Sequence, residues 1–214
     1  MGELYVNIEH AEKRFKEQTV LSDVCMEIEK GTICGLTGRN GSGKTVLFRS
    51  ICGLLHLTSG KITVNGKQVG KDMEVPENIG ILIEEPGFLQ NYSGIKNLQF
   101  LAMIKGQVKK KELCEVMRMV GLNPDNRSHV GKYSLGMRQR LGIAQAIMEK
   151  PELLILDEPM NGLDNSGVQD IRKLLDHLRE QGTTMLIASH NKEDIDVLCD
   201  RVYAMDGGCV QKVR

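Results

Sequence analysis

Eight residues near the N-terminus have the spacing of a loop that binds phosphate. They match the pattern G-x-x-x-x-G-K-[ST] and are Gly38, Arg39, Asn40, Gly41, Ser42, Gly43, Lys44 and Thr45. Glycines let the backbone curl so that successive N–H groups face one anion, at the start of a helix whose dipole favours negative charge. The pattern predicts that Lys44 reaches the β- and γ-phosphates of ATP, that the Thr45 hydroxyl binds Mg²⁺, and that the following Val46 also contacts the nucleotide.

Two adjacent carboxylates follow an apolar segment further along the chain. Asp157 and Glu158 come directly after Leu153-Leu154-Ile155-Leu156, which reads as a buried strand. Ligands of open parallel sheets bind at the carboxyl ends of the strands, and adjacent strand residues point to opposite sides. We therefore expect different roles: Asp157 holds Mg²⁺ through its water shell, and Glu158 acts as general base toward the attacking water.

The elements around these residues indicate an α/β fold. Strands are predicted at 4–9, 24–29, 32–37, 61–64, 79–83, 153–156 and 184–188, and helices at 135–150 and 168–181. Strands that alternate with helices and have fully apolar interiors are typical of a mainly parallel sheet covered on both faces. Residues 87–133 switch to helical periodicity and are predicted to be a helical insertion.

Composition excludes several classes of protein. The chain has 28 Lys plus Arg and 28 Asp plus Glu, so no net charge draws it to nucleic acid. Its six cysteines are scattered, with no C-x-x-C pair and no histidine at metal spacing, and are predicted to be reduced and buried in a cytosolic protein. We find no signal peptide and no apolar run long enough to span a bilayer, and we expect neither a secreted nor an integral membrane protein.

The segment just before the acidic strand resembles a known signature. Residues 133–140, Tyr-Ser-Leu-Gly-Met-Arg-Gln-Arg, are similar to the LSGGQ motif of ABC ATPases. In that family two copies dimerise head to tail, and the signature of one copy closes the nucleotide site of the other. The resemblance implies that Ser134 and the Gly136 backbone N–H bind the γ-phosphate in trans, at a helix N-terminus.

Other landmarks of the family occur in the expected order. Asp164, in Asn161-Gly162-Leu163-Asp164, resembles the D-loop aspartate that communicates across the dimer. His190 resembles the switch histidine that contacts the γ-phosphate. The family also places an aromatic ring on adenine, which implies Phe15 here, with Tyr5 as the other nearby candidate.

The resemblance covers nearly the whole chain and implies its architecture. We expect one domain, 1–214, with a P-loop NTPase core of RecA-like type at 1–86 and 134–214, an N-terminal antiparallel β portion, and the helical insertion at about 87–133. Two residues depart from the family pattern. Most members have a Mg²⁺-contacting Gln at the position of Glu84 and the first glycine of the signature at the position of Leu135. Both departures occur together in the bacitracin- and lantibiotic-type exporters, which this chain resembles. Chains of that type often continue well past the position that corresponds to residue 214, so we expect the C-terminal regulatory extension to be absent here.

These features predict an ATP-hydrolysing motor subunit at the inner face of the cell membrane. We expect it to dimerise with a second copy or a homologous subunit and to drive a separate transmembrane permease that exports peptide antibiotics or related amphiphiles. One alternative is a soluble ABC ATPase acting on ribosomes or DNA. Another is a regulatory subunit that binds nucleotide without hydrolysing it; intact Lys44, Asp157, Glu158 and His190 argue against that reading.

Overall fold

A small antiparallel sheet forms the N-terminal part of the protein. The computed structural model describes residues 2–106 and 108–214, and this sheet has the strand order β2-β1-β4-β5. Its strands are β1 (Leu4–Phe15), β2 (Gln18–Glu29), β4 (Ser59–Val64) and β5 (Lys67–Gln68). Buried residues alternate with exposed ones along β1 and β2, because one face of the sheet covers the core and the other meets solvent.

A larger, mostly parallel sheet lies beneath it, in the order β10-β9-β3-β8-β7-β6. Its strands are β3 (Ile33–Thr37), β6 (Ile79–Leu82), β7 (Leu153–Asp157), β8 (Thr184–Ala188), β9 (Arg201–Asp206) and β10 (Cys209–Lys212). Only the β9–β10 pairing in this sheet is antiparallel in the part of the chain described. The central strands are buried almost throughout because both faces of the sheet are covered.

Helices cover the larger sheet and extend away from it. They are α1 (Lys44–Ile51), α2 (Gly94–Lys105), α3 (Lys110–Met119), α4 (Leu135–Ile147), α5 (Asn165–Glu180) and α6 (Lys192–Leu198). A 3₁₀ turn, Val130–Lys132, precedes α4. In α5 the buried residues Ile171, Leu174, Leu175 and Leu178 recur at helical spacing and form its core-facing stripe.

Two hydrophobic clusters hold these layers together. One lies between the two sheets and includes α1, with Phe48 fully buried at its centre. The other joins the opposite face of the large sheet to α2–α6, with Leu98, Met117 and Leu141 among its buried members. The carboxyl ends of β3 and β7 emerge between these layers, where the phosphate loop and the two carboxylates begin. In residues 2–106 and 108–214, no helix combines the length and apolarity needed to cross a bilayer.

The structure corrects one prediction about the cysteines. All six are unpaired thiols, and Cys34, Cys52 and Cys199 are buried as expected. Burial raises the pKa of Cys52 and Cys199 to about 12, so both are neutral thiols at physiological pH. Cys25 and Cys209, however, are exposed, because each stands on the solvent side of an edge or surface strand rather than in an apolar layer.

Candidate functional site

The phosphate loop joins β3 to α1 and is organised around the Lys44 side chain. Lys44 is 6% exposed, and its Nζ donates to the carbonyl oxygens of Gly38 at 2.7 Å and Arg39 at 3.1 Å. Helix α1 begins at Lys44 without a side-chain cap. Because the first amides of a helix have no partner within it, these N–H groups are available to an anion. Lysine and helix terminus together give the loop its positive character.

Two other loop residues, Gly38 and Ser42, are buried against the rest of the protein or closely approached by it. Gly38 has φ 154°, and a Cβ at this position would lie 2.3 Å from the carbonyl oxygen of Met205, so no side chain fits there. Ser42 is buried, and its Oγ has no hydrogen-bond partner among the described residues. An unpaired buried hydroxyl is unfavourable. A phosphate oxygen in the loop would be a suitable acceptor for it.

Thr45 and Asp157 meet next to the loop. The Thr45 hydroxyl donates to Asp157 Oδ2 at 2.8 Å, which joins the first turn of α1 to the end of β7. Burial raises the pKa of the Asp157 carboxyl, although the Thr45 hydrogen bond acts in the opposite direction. A hydroxyl and a carboxylate are the hard oxygen ligands that Mg²⁺ prefers, and both side chains line the same cavity. The donor set therefore fits Mg²⁺.

Glu158 is held from two directions. The His190 backbone N–H donates to Glu158 Oε1 at 3.1 Å, and His190 Nδ1 lies 2.8 Å from Glu158 Oε2. The Gln139 side-chain amide donates to the Glu158 carbonyl oxygen at 2.9 Å. Glu158 has a φ of 50°, a conformation unusual for a residue other than glycine. The residue after β7 is thus fixed to both the segment after β8 and helix α4.

These groups share one cavity, which we call the phosphate-loop cavity. It has a volume of about 560 Å³. The predicted site residues in its lining are Asn40, Gly41, Gly43, Lys44, Thr45, Val46, Glu84, Asp157 and Glu158. Val20, Glu85, Leu135, Gln139 and Asn161 also line it. The structure therefore brings together the loop, the acidic strand and Glu84, which are far apart in sequence.

Ser134 and Gly136 lie outside that lining, at the start of α4. Ser134 is the exposed N-cap residue, and its Oγ accepts the Met137 backbone N–H at 3.2 Å. A Cβ at Gly136 would lie 2.8 Å from the Gly162 carbonyl oxygen. Leu135, which replaces a glycine of the usual signature, packs against Gly162. The departure at Leu135 is thus accommodated by a glycine in the segment it contacts.

Asp164 also lies outside the cavity and has a local partner. It is the N-cap of α5, where its Oδ1 accepts the Gly167 backbone N–H at 2.9 Å. That bond and one from the Ser166 hydroxyl lower the pKa of the Asp164 carboxyl. The carboxylate therefore stabilises its own helix, whatever it contributes across a dimer.

The two candidates for adenine stacking lie in different environments. Tyr5 is buried in the core, and its hydroxyl donates to Glu152 Oε2 at 3.0 Å, so its ring has no free face. Phe15 is 44% exposed at the end of β1, with Lys13 Nζ 5.0 Å from its ring centroid. This rules out Tyr5 as the stacking ring and leaves Phe15 as the prediction.

Two contacts made by predicted site residues were not expected from the sequence. Glu84, with φ 61°, forms an ion pair with Arg49 of α1 at 2.8 Å, so a cation already neutralises the unusual carboxylate. Gln139 bonds the backbone of Glu158. Because Gln139 lies within the signature-like segment, its sequence position could have indicated a role at the site. No sequence feature indicated Arg49, because an exposed arginine on a helix is ordinary.

Comparison with known proteins agrees with this geometry. The family model described as "ABC transporter" matches residues 21–161. An uncharacterized ABC transporter ATP-binding protein of Bacillus subtilis, YybJ, is 44% identical over 92% of this chain and 90% of its own length. The bacitracin transport ATP-binding protein BcrA of Enterococcus faecalis is 41% identical over 99% of this chain and 70% of its own. The lantibiotic transport ATP-binding protein SrtF of Streptococcus pyogenes is 36% identical over 91% and 84%.

The fold also matches solved structures. The dimeric structure of MJ0796, a bacterial ABC transporter cassette, superposes with a TM-score of 0.87 over 98% of this chain and 99% of that one, at 21% identity. At this identity the likeness concerns the fold, and it confirms the predicted combination of an antiparallel sheet, a mainly parallel sheet and helices. With the family match and the relatives, it follows that this chain belongs to the ABC transporter family, as an ATP-binding ATPase cassette close to the bacitracin and lantibiotic transport proteins.

Proposed function

We propose that the chain is the ATP-hydrolysing motor of a transporter and that it works as a head-to-tail dimer with a separate membrane permease. The observation that carries the proposal is the phosphate-loop cavity, whose lining includes Lys44, Thr45, Asp157 and Glu158. Thr45 binds Asp157 there, and His190 binds Glu158 from outside the lining. In this arrangement Lys44 and the α1 N-terminus bind the phosphates of ATP. A second copy closes the cavity with its Ser134 and Gly136.

The residues of the cavity account for the steps of hydrolysis. Thr45 and Asp157 would hold Mg²⁺, with Glu84 nearby; the bound ion would neutralise charge on the β- and γ-phosphates. Glu158 accepts a proton from water as that water attacks the γ-phosphorus, and ADP departs with its β-phosphate oxygen. His190 orients the Glu158 carboxylate, since its backbone N–H and its ring bind both carboxylate oxygens.

Helix α2 supplies a surface for the permease. Leu98 and Ala102 face the core, but Phe100, Met103 and Ile104 are exposed, the last two by 75% and 80%. These three residues lie three and four positions apart, so they form one stripe on the helix. An exposed apolar stripe on a helix that also has a buried face is typical of a partner-binding surface. Hydrolysis in the cavity would reach this surface through the 83–93 segment that connects Glu84 to α2.

The names of the similar proteins indicate the class of transported substrate. Because BcrA and SrtF are named as bacitracin and lantibiotic transport proteins, we expect a peptide antibiotic or a related amphiphile. Docking to a permease would place the chain at the cytoplasmic face of the membrane. A soluble ATPase acting on ribosomes or DNA is the competing function, and it does not account for the exposed stripe of α2.

Affinity purification tests this proposal at the α2 stripe. We would express the tagged full chain in its native host, extract with detergent, and quantify copurified proteins by mass spectrometry. We expect one polytopic membrane protein, and at least about a tenfold loss of it in Ile104→Glu, because removing a central interface contact weakens binding by about 2 kcal/mol or more. Basal ATPase activity should be unchanged.

Val197→Glu is the matched control. Like Ile104, Val197 is an exposed β-branched apolar residue, 58% accessible, but it lies on α6 rather than α2. It should recover the membrane protein at the wild-type level. Recovery of ribosomal or DNA-binding proteins with the wild type and both variants, without a membrane protein, would support the competing function instead.

A further inference from the structure

The solvent face of the β1–β2 hairpin brings together three side chains that sequence spacing gave no reason to group. They are His10, Asp23 and Cys25, and one donor atom from each lies within 4.8 Å of the others. His10 Nδ1 is 2.6 Å from Asp23 Oδ1 and 3.8 Å from Cys25 Sγ. All three residues are exposed and stand apart from the phosphate-loop cavity.

Two irregularities in the strand pairing create this grouping. The β1–β2 register shifts between Ile8 and Ala11 and again between Ala11 and Lys13. Ile8 and Ala11 are both buried, so His10 is displaced to the solvent side. On β2, Leu21 and Val24 are both buried, which leaves Asp23 outside in the same way. Bulges of this kind re-aim side chains that regular alternation would separate.

The backbone of the cluster is correspondingly unusual. His10 has φ 50° and Asp23 has φ 52°, both in the left-handed region that β-strand residues avoid. The His10 backbone N–H donates to Cys25 Sγ at 3.3 Å, which holds the cysteine side chain beside the histidine. Such strained positions persist because the surrounding pairing holds them, and they occur frequently where a sheet presents a functional group.

The donor atoms match the preferences of zinc. Zn²⁺ binds thiolate sulfur, imidazole nitrogen and carboxylate oxygen at about 2.0–2.3 Å in tetrahedral geometry, which separates a nitrogen from a sulfur ligand by about 3.6 Å. The observed Nδ1–Sγ separation of 3.8 Å is close to this. The His10–Asp23 pair is closer, but its side chains are 76% and 75% exposed and free to rotate outward around a cation.

We propose that His10, Asp23 and Cys25 form a binding site for a zinc-class divalent cation on the outer face of the N-terminal sheet. Three protein ligands leave the fourth tetrahedral position to water or to a ligand from outside the chain. The bound cation cross-links β1 to β2; Phe15 is the last residue of β1. This site is independent of the Mg²⁺ proposed for the phosphate-loop cavity, which has oxygen donors only.

Cobalt spectroscopy tests the site on the full chain. We would strip the protein with a chelator, keep it reduced with a phosphine, and titrate it with Co²⁺ in the absence of nucleotide. We expect one equivalent to produce a thiolate-to-cobalt charge-transfer band, which Zn²⁺ then removes. Oxygen ligands give no such band, so Co²⁺ bound at Thr45 and Asp157 cannot imitate the result.

Single substitutions assign the ligands. Cys25→Ser should abolish the band, and His10→Ala should weaken Zn²⁺ binding at least about tenfold, since even the loss of an outer partner of a metal ligand reduces affinity 10- to 100-fold. Cys209→Ser is the matched control, because Cys209 is the other exposed thiol. ATP binding by every variant confirms that it folds. Absence of the band in the wild type, or its persistence in Cys25→Ser, would overturn the proposal.

Discussion

The two polar regions of the proposed dimeric site differ in where the hydrogen-bond partners of their side chains lie. At the phosphate-loop cavity, lining residues bind groups that are distant in sequence: Thr45 binds Asp157, and Glu158 binds His190. At the start of α4 and α5, Ser134 and Asp164 instead cap their own helices and face solvent. The first region is assembled by this chain alone. The second presents groups whose further partners must come from another molecule.

This difference separates two requirements of the site. Residues joined by long-range contacts are positioned before any ligand arrives, so their chemistry depends on a folded monomer. Residues that only cap a helix are exposed to whatever approaches that helix N-terminus. Substitutions in the first region should therefore impair each chain by itself, whereas substitutions in the second should impair only the assembly.

The largest effect is expected inside the cavity, at Glu158. Glu158→Gln removes the proposed base but keeps the size of the side chain and its hydrogen-bonding capacity toward His190. We expect ATP hydrolysis to fall about 10²- to 10⁴-fold, the usual contribution of a positioned base, while ATP still binds and traps a dimer. Steady-state phosphate release and size-exclusion chromatography with ATP measure the two results.

Glu180→Gln controls for the loss of a carboxylate. Glu180 is exposed at the end of α5, outside the lining of the cavity, and its substitution should leave hydrolysis at the wild-type rate. Hydrolysis by Glu158→Gln at the wild-type rate would remove Glu158 from its proposed role.

The second prediction concerns the two regions together. Lys44→Ala should abolish ATP binding, and Ser134→Arg should place a bulky cation at the start of α4 and block closure of the partner's site; each protein alone should hydrolyse little ATP. In a mixed dimer, one site combines an intact Lys44 with an intact Ser134. We therefore expect the mixture to exceed the summed activity of the separate proteins, measured at equal total concentration.

A control mixture tests whether the regained activity requires one site with both Lys44 and Ser134 intact. When both substitutions are in one chain, mixing it with Lys44→Ala gives no site with both residues intact, and no activity should return. If Ser134→Arg alone retains full activity, or if the first mixture shows no gain, Ser134 does not act across a head-to-tail dimer.

The parts of this site that could be predicted are those whose residues lie close together in the sequence. The phosphate loop and the two carboxylates at the end of β7 are each contained in eight residues or fewer, and the strand before each of them fixes its place at the sheet edge. The family resemblance added Ser134, Asp164 and His190, whose roles remain predictions. The helices and strands between residues 130 and 190 were also largely predicted, because their apolar periodicity is strong.

What could not be predicted depends on packing between distant segments. Gln139 reaches the Glu158 backbone, and Arg49 pairs with Glu84, across 19 and 35 residues. The His10 cluster depends on two bulges, which shift the alternation without any glycine to mark them. Helix α6 and the β9–β10 hairpin were also missed, since their short and partly polar segments have no clear period.

The smallest effect is expected at the phosphate-loop cavity, where Arg49 binds Glu84, a residue of the lining. Their side chains are 44% and 59% exposed, and such a surface ion pair stabilises a fold by about 0–1 kcal/mol. Arg49→Ala should therefore shift the midpoint of thermal unfolding only slightly. It should, however, release a carboxylate that lines the cavity, and so lower the Mg²⁺ concentration for half-maximal ATPase activity by up to about fivefold, the equivalent of that ion-pair energy.

Glu84→Gln should raise that concentration, and Arg49→Lys, which keeps the cation, should leave it close to the wild-type value. An unchanged Mg²⁺ dependence in both Arg49→Ala and Glu84→Gln would show that Glu84 takes no part in the cation site and that its pairing with Arg49 only fastens the segment after β6 to α1.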